Sequence, residues 1–316
     1  MRISPVLLGW IGVLLAALLA FFCTDYRLFQ LTLMVAYAIA ILGLNIVTGF
    51  NGQISLGHGA FYAIGAYVTA ILMDKWDAPY WATLPPSALV CGVVGFLIGL
   101  PALRLAGLYL ALTTFALAVA IPQLLKHPAL EHWTGGVQGI VISKPAPPFG
   151  LPLSEDQWLY LFSLGVAVVV FVLARNLLGG RIGRAMVAIR EQPLAAEAMG
   201  IDLAFMKTMT FAVSALVTGV AGSLGAIAIQ FVAPDSFTVF LSIFLFVGLV
   251  VGGVASIAGA IPGAAFIVFI PNIADQISKS APSAVYGVLL IALLYVMPSG
   301  VAGFIRIIQA RLLPRA

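Results

Sequence analysis

The chain has 316 residues, 62% of them hydrophobic and 8% charged, with a formal net charge of +4 and a mean hydropathy of +1.14. Soluble domains carry about 25% charged residues, so this composition excludes a soluble enzyme and defines a polytopic membrane protein. A helix needs about 20 apolar residues to cross the bilayer core, which leaves room for about ten spans and no sizeable soluble domain; residues 1–316 read as a single transmembrane domain.

Hydropathy predicts spans near 5–23, 29–48, 53–72, 83–102, 105–125, 157–175, 208–230, 238–254, 257–273 and 283–303. The fold class is therefore an all-α helical bundle of about ten segments. Arg2 and the apolar run to Cys23 imitate a signal peptide, but the run is long for one and no small-residue cleavage site follows, so it reads as an uncleaved first span. Cys23 and Cys91 lie inside apolar runs without C-x-x-C spacing and read as small buried hydrophobes rather than metal or redox groups.

The third segment is the unusual one. From Asn45 to Tyr67 the chain reads NIVTGFNGQISLGHGAFYAIGAY, crowding Asn45, Thr48, Asn51, Gln53, Ser55 and His58 among five glycines. A lipid-facing helix avoids such polarity, and each glycine weakens a helix by about 1 kcal/mol relative to alanine. Two readings fit. The polarity favours a broken or re-entrant helix whose freed backbone groups line a polar path; the plainer reading is a turn between two ordinary spans, with glycines allowing close packing. His58 has no acidic neighbour in sequence, which points to a neutral packing histidine rather than a proton relay.

Residues 126–156 form the longest outer loop, with His132-Trp133-Thr134-Gly135-Gly136 and then four prolines between Pro145 and Pro152. Such prolines stiffen extended backbone; the loop reads as a platform for an external partner or as a plain connection. Residues 179–207 make the only long charged passage between apolar segments. A helix from Arg184 to Arg190 is interrupted at Pro193, which has no N–H to continue it. Pro193 then opens a short helix, Leu194 to Met199, closed by a left-handed Gly200. A helix of barely two turns, with Ala195, Ala196 and Ala198 around Glu197, is marginal alone and needs a docking partner.

Further on, GLVVGGVASIAGAIPGAAF places Gly248 and Gly252 at small-x-x-x-small spacing. Gly253-x-x-Ser256-x-x-Gly259 echoes Gly52-x-x-Ser55-x-Gly57, an echo too short to establish a repeat. With the 179–207 loop placed inside, ten basic residues (Arg2, Arg104, Arg175, Arg181, Arg184, Arg190, Lys207, Arg306, Arg311 and Arg315) fall on the cytoplasmic side. Five (Arg27, Lys75, Lys126, Lys144 and Lys279) fall outside. That bias predicts both termini inside and accounts for the basic charge without invoking nucleic acid.

Several chemistries are missing. None of the five lysines follows a glycine, so the phosphate-cradling G-x-x-x-x-G-K-[ST] loop is absent. H-E-x-x-H and the G-x-S-x-G elbow are absent too, and the spans hold neither an arginine ladder nor an acidic chain for proton coupling. No metal or other cofactor is expected. The pattern is that of a transporter subunit powered from elsewhere; a self-sufficient secondary carrier or channel is the rival that the polar passage leaves open.

Three passages carry a family resemblance: LNIVTGFNGQISLGHGAFYAIGAY, TGGVQGI at Thr134–Ile140, and GRAMVAIREQPLAAEAMGID followed by Lys207 and FAVSALVTGVAGSLGA. With the later GGVASIAG they resemble, in order and over nearly the whole chain, the permease subunit of branched-chain amino acid ABC transporters of the LivM type. The resemblance implies a bacterial inner-membrane protein paired with a second permease as a heterodimer, driven by two cytoplasmic ATP-binding subunits and fed by a periplasmic substrate-binding protein. It implies that Arg190, Glu191, Ala196, Glu197 and Gly200 couple to the ATPases. It further implies that Asn45, Thr48, Gly52, Gln53, Ser55, Gly57 and His58 border the translocation path, and that Thr134, Gly135 and Gly136 belong to the outer loop. Gln192-Pro193 departs from the family's acidic, proline-free stretch, and no acidic residue follows Ser242 as one often does there. The small neutral path residues suit a zwitterion or neutral solute, with urea and short amides as alternatives to branched-chain amino acids.

Overall fold

A computed structural model describes residues 5–312 apart from 104, 106, 151, 278 and 280. The chain is almost wholly helical: α1 (Pro5–Phe22), α2 (Asp25–Leu44) running into a π-helical turn (Asn45–Phe50), α3 (His58–Trp76), α4 (Tyr80–Ala102) and α5 (Leu108–Leu125). A short α6 (Glu131–Thr134) and strand β1 (Ile140–Val141) precede α7 (Glu155–Gly179), α8 (Arg181–Glu191), α9 (Pro193–Ala198) and α10 (Leu203–Ile229). Strand β2 (Phe231–Val232) leads to α11 (Val239–Gly252), α12 (Ala260–Ile277), α13 (Pro282–Val296) and α14 (Gly300–Leu312). Eight of the described stretches are long and apolar enough to cross a membrane. The other two expected spans are α1 and α3. Helix α1 is apolar over its 18 residues, with Gly9–Phe22 its fully described part, whereas α3 starts at His58 rather than 53 and carries Asp74 and Lys75 at its far end.

Helix α10 is the axis of the bundle. It packs against α2, α3 and α4, and its side chains are buried along most of Thr208–Ala228. The approach to α3 is backbone to backbone: a Cβ on Gly65 would overlap the Gly219 main chain. Small residues allow this, and van der Waals contact between close helices is a main source of association where lipid offers no hydrophobic drive. Gly248 and Gly252 do make close contacts, Gly248 with Gly263 of α12 and Gly252 with Gly259 in the turn just before it.

Contacts sort the connections into two ends. At one end, α8–α9, the start of α10, the 51–57 passage and the 253–259 passage meet through Arg190–Gly49, Gln53–Lys207 and Asn45–Ser256 hydrogen bonds. At the other, β1 pairs antiparallel with β2, Lys126 bridges Asp235, Ser154 donates to Asp25 and Trp158 to the Tyr80 hydroxyl. Helices α2 and α3 thus run antiparallel between the ends, and α11 and α12 do the same. Arg175, Arg181, Arg184, Arg190 and Lys207 lie towards the first end; Arg27, Lys75, Lys126 and Lys144 lie towards the second. Arg2, Arg104 and Arg315 lie outside the described residues, as do the side chains of Arg306 and Arg311.

Candidate functional site

The first end carries the candidate site, and α8 and α9 shape it. Helix α8 buries Gly183, Met186 and Ile189 on one face, a spacing of three that points one stripe at the bundle. Arg181 and Arg184 stay exposed. Pro193 opens α9 at its first position, and Gly200 closes it with φ +84, a left-handed geometry that costs glycine nothing. Asp202 then caps α10 by accepting from Phe205 N–H at 3.0 Å. A groove of about 540 Å³ runs between α8 and α9, with Arg184, Ala188, Ala195 and Met199 among its walls.

The five residues expected to couple divide by direction. Glu191, Glu197 and Gly200 are exposed, while Ala196 is buried against the bundle. Arg190 is exposed as well, but its guanidinium reaches back to the bundle. Its Nη1 donates to the Gly49 carbonyl at 2.7 Å, and its Nε and Nη2 both donate to Glu191 Oε1, at 3.0 and 2.5 Å. The outward face also shows two residues not singled out from the sequence: Leu194, 80% exposed, and Met199, 83% exposed. Apolar side chains in an otherwise charged loop were the signal for them. A second hollow of about 460 Å³ lies beside this face, with Glu197, Asp202, Lys207 and Leu103 around it.

The polar passage unwinds over Asn51–Gly57, with Gly52 and Ile54 exposed, as a turn between antiparallel helices rather than a break inside one helix. Several of its polar groups engage distant helices. Asn45, fully buried, donates from Nδ2 to the Ser256 carbonyl (2.8 Å) and accepts at Oδ1 from Ala255 N–H (2.9 Å). Thr48 Oγ1 donates to the Gln53 carbonyl (3.0 Å), and Gln53 Nε2 reaches the Lys207 carbonyl (3.3 Å). Gly57 packs on Thr114, whose Oγ1 accepts from Leu56 N–H at 2.9 Å. Gly59 N–H donates to Ser242 Oγ at 2.9 Å.

His58 sits between two serines. Ser214 Oγ donates its only proton to the Gly43 carbonyl (2.6 Å), so it must accept from His58 Nε2, also 2.6 Å away. In a neutral ring His58 Nδ1 is then the acceptor for Ser55 Oγ at 3.0 Å. This donor order sets the proton of the neutral ring on Nε2. The partners Thr114 and Ser214 were missed from the sequence, where single hydroxyls inside apolar spans were their only trace; Ser242 and Ser256 stood out there, but not as partners of this passage.

At the opposite end, Thr134, Gly135 and Gly136 build a turn. Thr134 Oγ1 donates towards the Leu125 and Leu130 carbonyls at 2.8 and 3.0 Å and accepts from Gly136 N–H at 3.2 Å. Gly135 and Gly136 have φ +70 and +56. The turn aims β1 at β2, leaving Trp133, Val137 and Val141 exposed. No group of metal-ligating side chains occurs among the described residues.

Residues 26–297 match the family described as "Branched-chain amino acid transport system / permease component". The high-affinity branched-chain amino acid transport system permease protein LivM of Salmonella typhimurium is 36% identical over 261 residues, which is 75% of this chain and 61% of that protein. LivM of Escherichia coli is 37% identical over 249 residues, 71% of this chain and 58% of that protein. The chain thus spans about three fifths of the length of these LivM relatives. The LivH permease protein of Salmonella typhimurium is 26% identical over 308 residues, 86% of this chain and 92% of that protein. No solved structure matches the chain. The chain belongs to the family of permease components of branched-chain amino acid transport systems.

Proposed function

We propose that the chain is the membrane-spanning, non-catalytic permease subunit of an ATP-driven importer for branched-chain or other neutral amino acids. The observation that carries this reading is the α8–α9 hairpin, whose outward face offers Glu191, Leu194, Glu197 and Met199 beside Gly200. Such a face suits a cytoplasmic ATP-binding subunit, and the chain has no phosphate-cradling loop of its own. Arg190 and Ala196 hold the hairpin to the bundle from beneath. The protein spans a bacterial inner membrane about ten times, as a length of about 20 apolar residues per span allows, with the α8–α9 end and both termini in the cytoplasm. That orientation follows the majority of basic residues.

A second permease completes the pore, two ATP-binding subunits drive it, and a periplasmic binding protein docks on the outer surface around Thr134, Gly135 and Gly136. Asn45, Thr48, Gly52, Gln53, Ser55, Gly57 and His58 border the solute path, where neutral hydrogen-bonding groups suit a zwitterion and disfavour a net charge.

Reconstitution with the second permease, ATP-binding subunits and binding protein encoded alongside tests the reading. ATP-dependent uptake of leucine is expected, and uptake of urea or acetamide instead would reassign the solute. Glu197→Lys is expected to insert normally and to lose the ATP-binding subunits in a pull-down. Full ATP-driven uptake by that variant, or uptake by the chain alone on an ion gradient, would overturn the proposal.

A further inference from the structure

The inward side of the hairpin makes one continuous set of contacts across the bundle end. The guanidinium of Arg190 is fixed on two edges, by the Gly49 carbonyl and by Glu191, and a planar fork held this way has a defined direction. Its stem lies on Gly52, where φ is +75 and a Cβ would come within 2.7 Å of Arg190 Cγ. Gly49 belongs to the π turn of α2, an element whose hydrogen bonds run from i to i+5 and a frequent feature of functional sites. A Cβ on Gly49 would in turn overlap Asn45 Oδ1 and lie 2.7 Å from Ala255 N. The acceptor of the Arg190 bond is therefore packed on the bond that Asn45 makes to the 253–259 passage. There Ala255 is held at φ +58, an uncommon state for a residue with a Cβ, and Gly253 lies against Gly300 at the start of α14.

One further group belongs to this set. Asn51, at the end of the π turn, is 2% exposed, and neither its Oδ1 nor its Nδ2 has a hydrogen-bond partner among the described residues. A buried amide left this way favours a rearrangement of the turn that would satisfy it.

Resting on the importer reading, we propose that Arg190 is a positioning residue that pins the α8–α9 hairpin to the π turn of α2, and that Asn45 relays displacement of that turn to the 253–259 passage. Movement of the hairpin by an ATP-binding subunit then reaches two helix pairs at once, α2–α3 and α11–α12. Both pairs turn at this end on a serine that accepts from a following glycine N–H, Ser55 from Gly57 and Ser256 from Gly259.

The test measures solute moved and ATP hydrolysed together, in proteoliposomes holding the assembled transporter and leucine-loaded binding protein. Arg190→Ala is expected to lower the ratio of leucine moved to ATP hydrolysed at least tenfold, and Arg190→Lys to fall between it and the unaltered protein. Gly52→Ala, which keeps the guanidinium but pushes its stem aside, is expected to lower the ratio in the same direction and serves if Arg190→Ala does not assemble. An unchanged ratio in Arg190→Ala or Gly52→Ala, including the case where uptake and hydrolysis fall in parallel, would overturn the pin while leaving the importer reading intact. Absence of ATP-driven uptake in the unaltered complex would overturn both.

Discussion

Replacing Asn45 by alanine isolates one buried side chain that joins segments 211 positions apart. The two bonds it makes are unequal in what they leave behind. Ser256 O keeps a second donor, Gly259 N–H at 3.1 Å, so losing Asn45 Nδ2 removes only the net value of a hydrogen bond. Ala255 N–H, by contrast, has Asn45 Oδ1 as its acceptor, and its loss strands a half-buried donor. A net hydrogen bond of about 1 kcal/mol and a stranded group at about 1–3 kcal/mol give an expected destabilisation of about 2–4 kcal/mol. Asn45→Asp keeps the acceptor for Ala255 but sets a carboxylate against the Ser256 carbonyl, and a buried unpaired charge costs more than the neutral loss. Unfolding of the purified protein in mixed detergent micelles, followed by circular dichroism, measures both. The expected order of stability is unaltered protein, then Asn45→Ala, then Asn45→Asp. A change below about 0.5 kcal/mol in Asn45→Ala, the range of an ordinary surface substitution, would refute the role assigned to this side chain.

Two other substitutions probe the core. Gly65→Leu is expected to abolish recovery of monodisperse protein on gel filtration, because its Cβ would already overlap the Gly219 main chain; Gly165→Leu, where a Cβ meets nothing within 4 Å, is the matched control and is expected to behave normally. Ser214→Ala strands the His58 Nε2 proton in the bundle and is expected to cost about 1–3 kcal/mol in the same unfolding assay.

The α8–α9 hairpin was legible in the sequence because its determinants are local. Pro193 cannot continue α8, Gly200 accepts the left-handed turn that ends α9, and both act within a few residues of themselves. The polar passage was legible only as polarity. Its partners stand 156 positions away for His58 and Ser214, and 183 for Gly59 and Ser242. A hydroxyl inside an apolar span gives no sign of which helix it will face. For the same reason a break within one helix and a turn between two could not be told apart from composition: both need glycine, and both concentrate polar groups. The π turn had no signature at all in NIVTGF, since its extra residue is accommodated by packing against Ala255 and Arg190 rather than by any residue type. The reach of Arg190 back to the bundle was equally hidden. Charge predicted a cytoplasmic loop, but the Gly49 carbonyl that accepts from Arg190 comes from a helix 141 positions earlier.

The account depends on the α8–α9 face meeting the cytoplasm, where nucleotide and its hydrolysing subunits are. A single cysteine at Glu197, in a background with Cys23 and Cys91 replaced by alanine, reports this through a membrane-impermeant maleimide. Labelling in inside-out vesicles and none in right-side-out vesicles is the expected result; labelling from the periplasmic side would contradict the orientation, the docking face and the proposed function together.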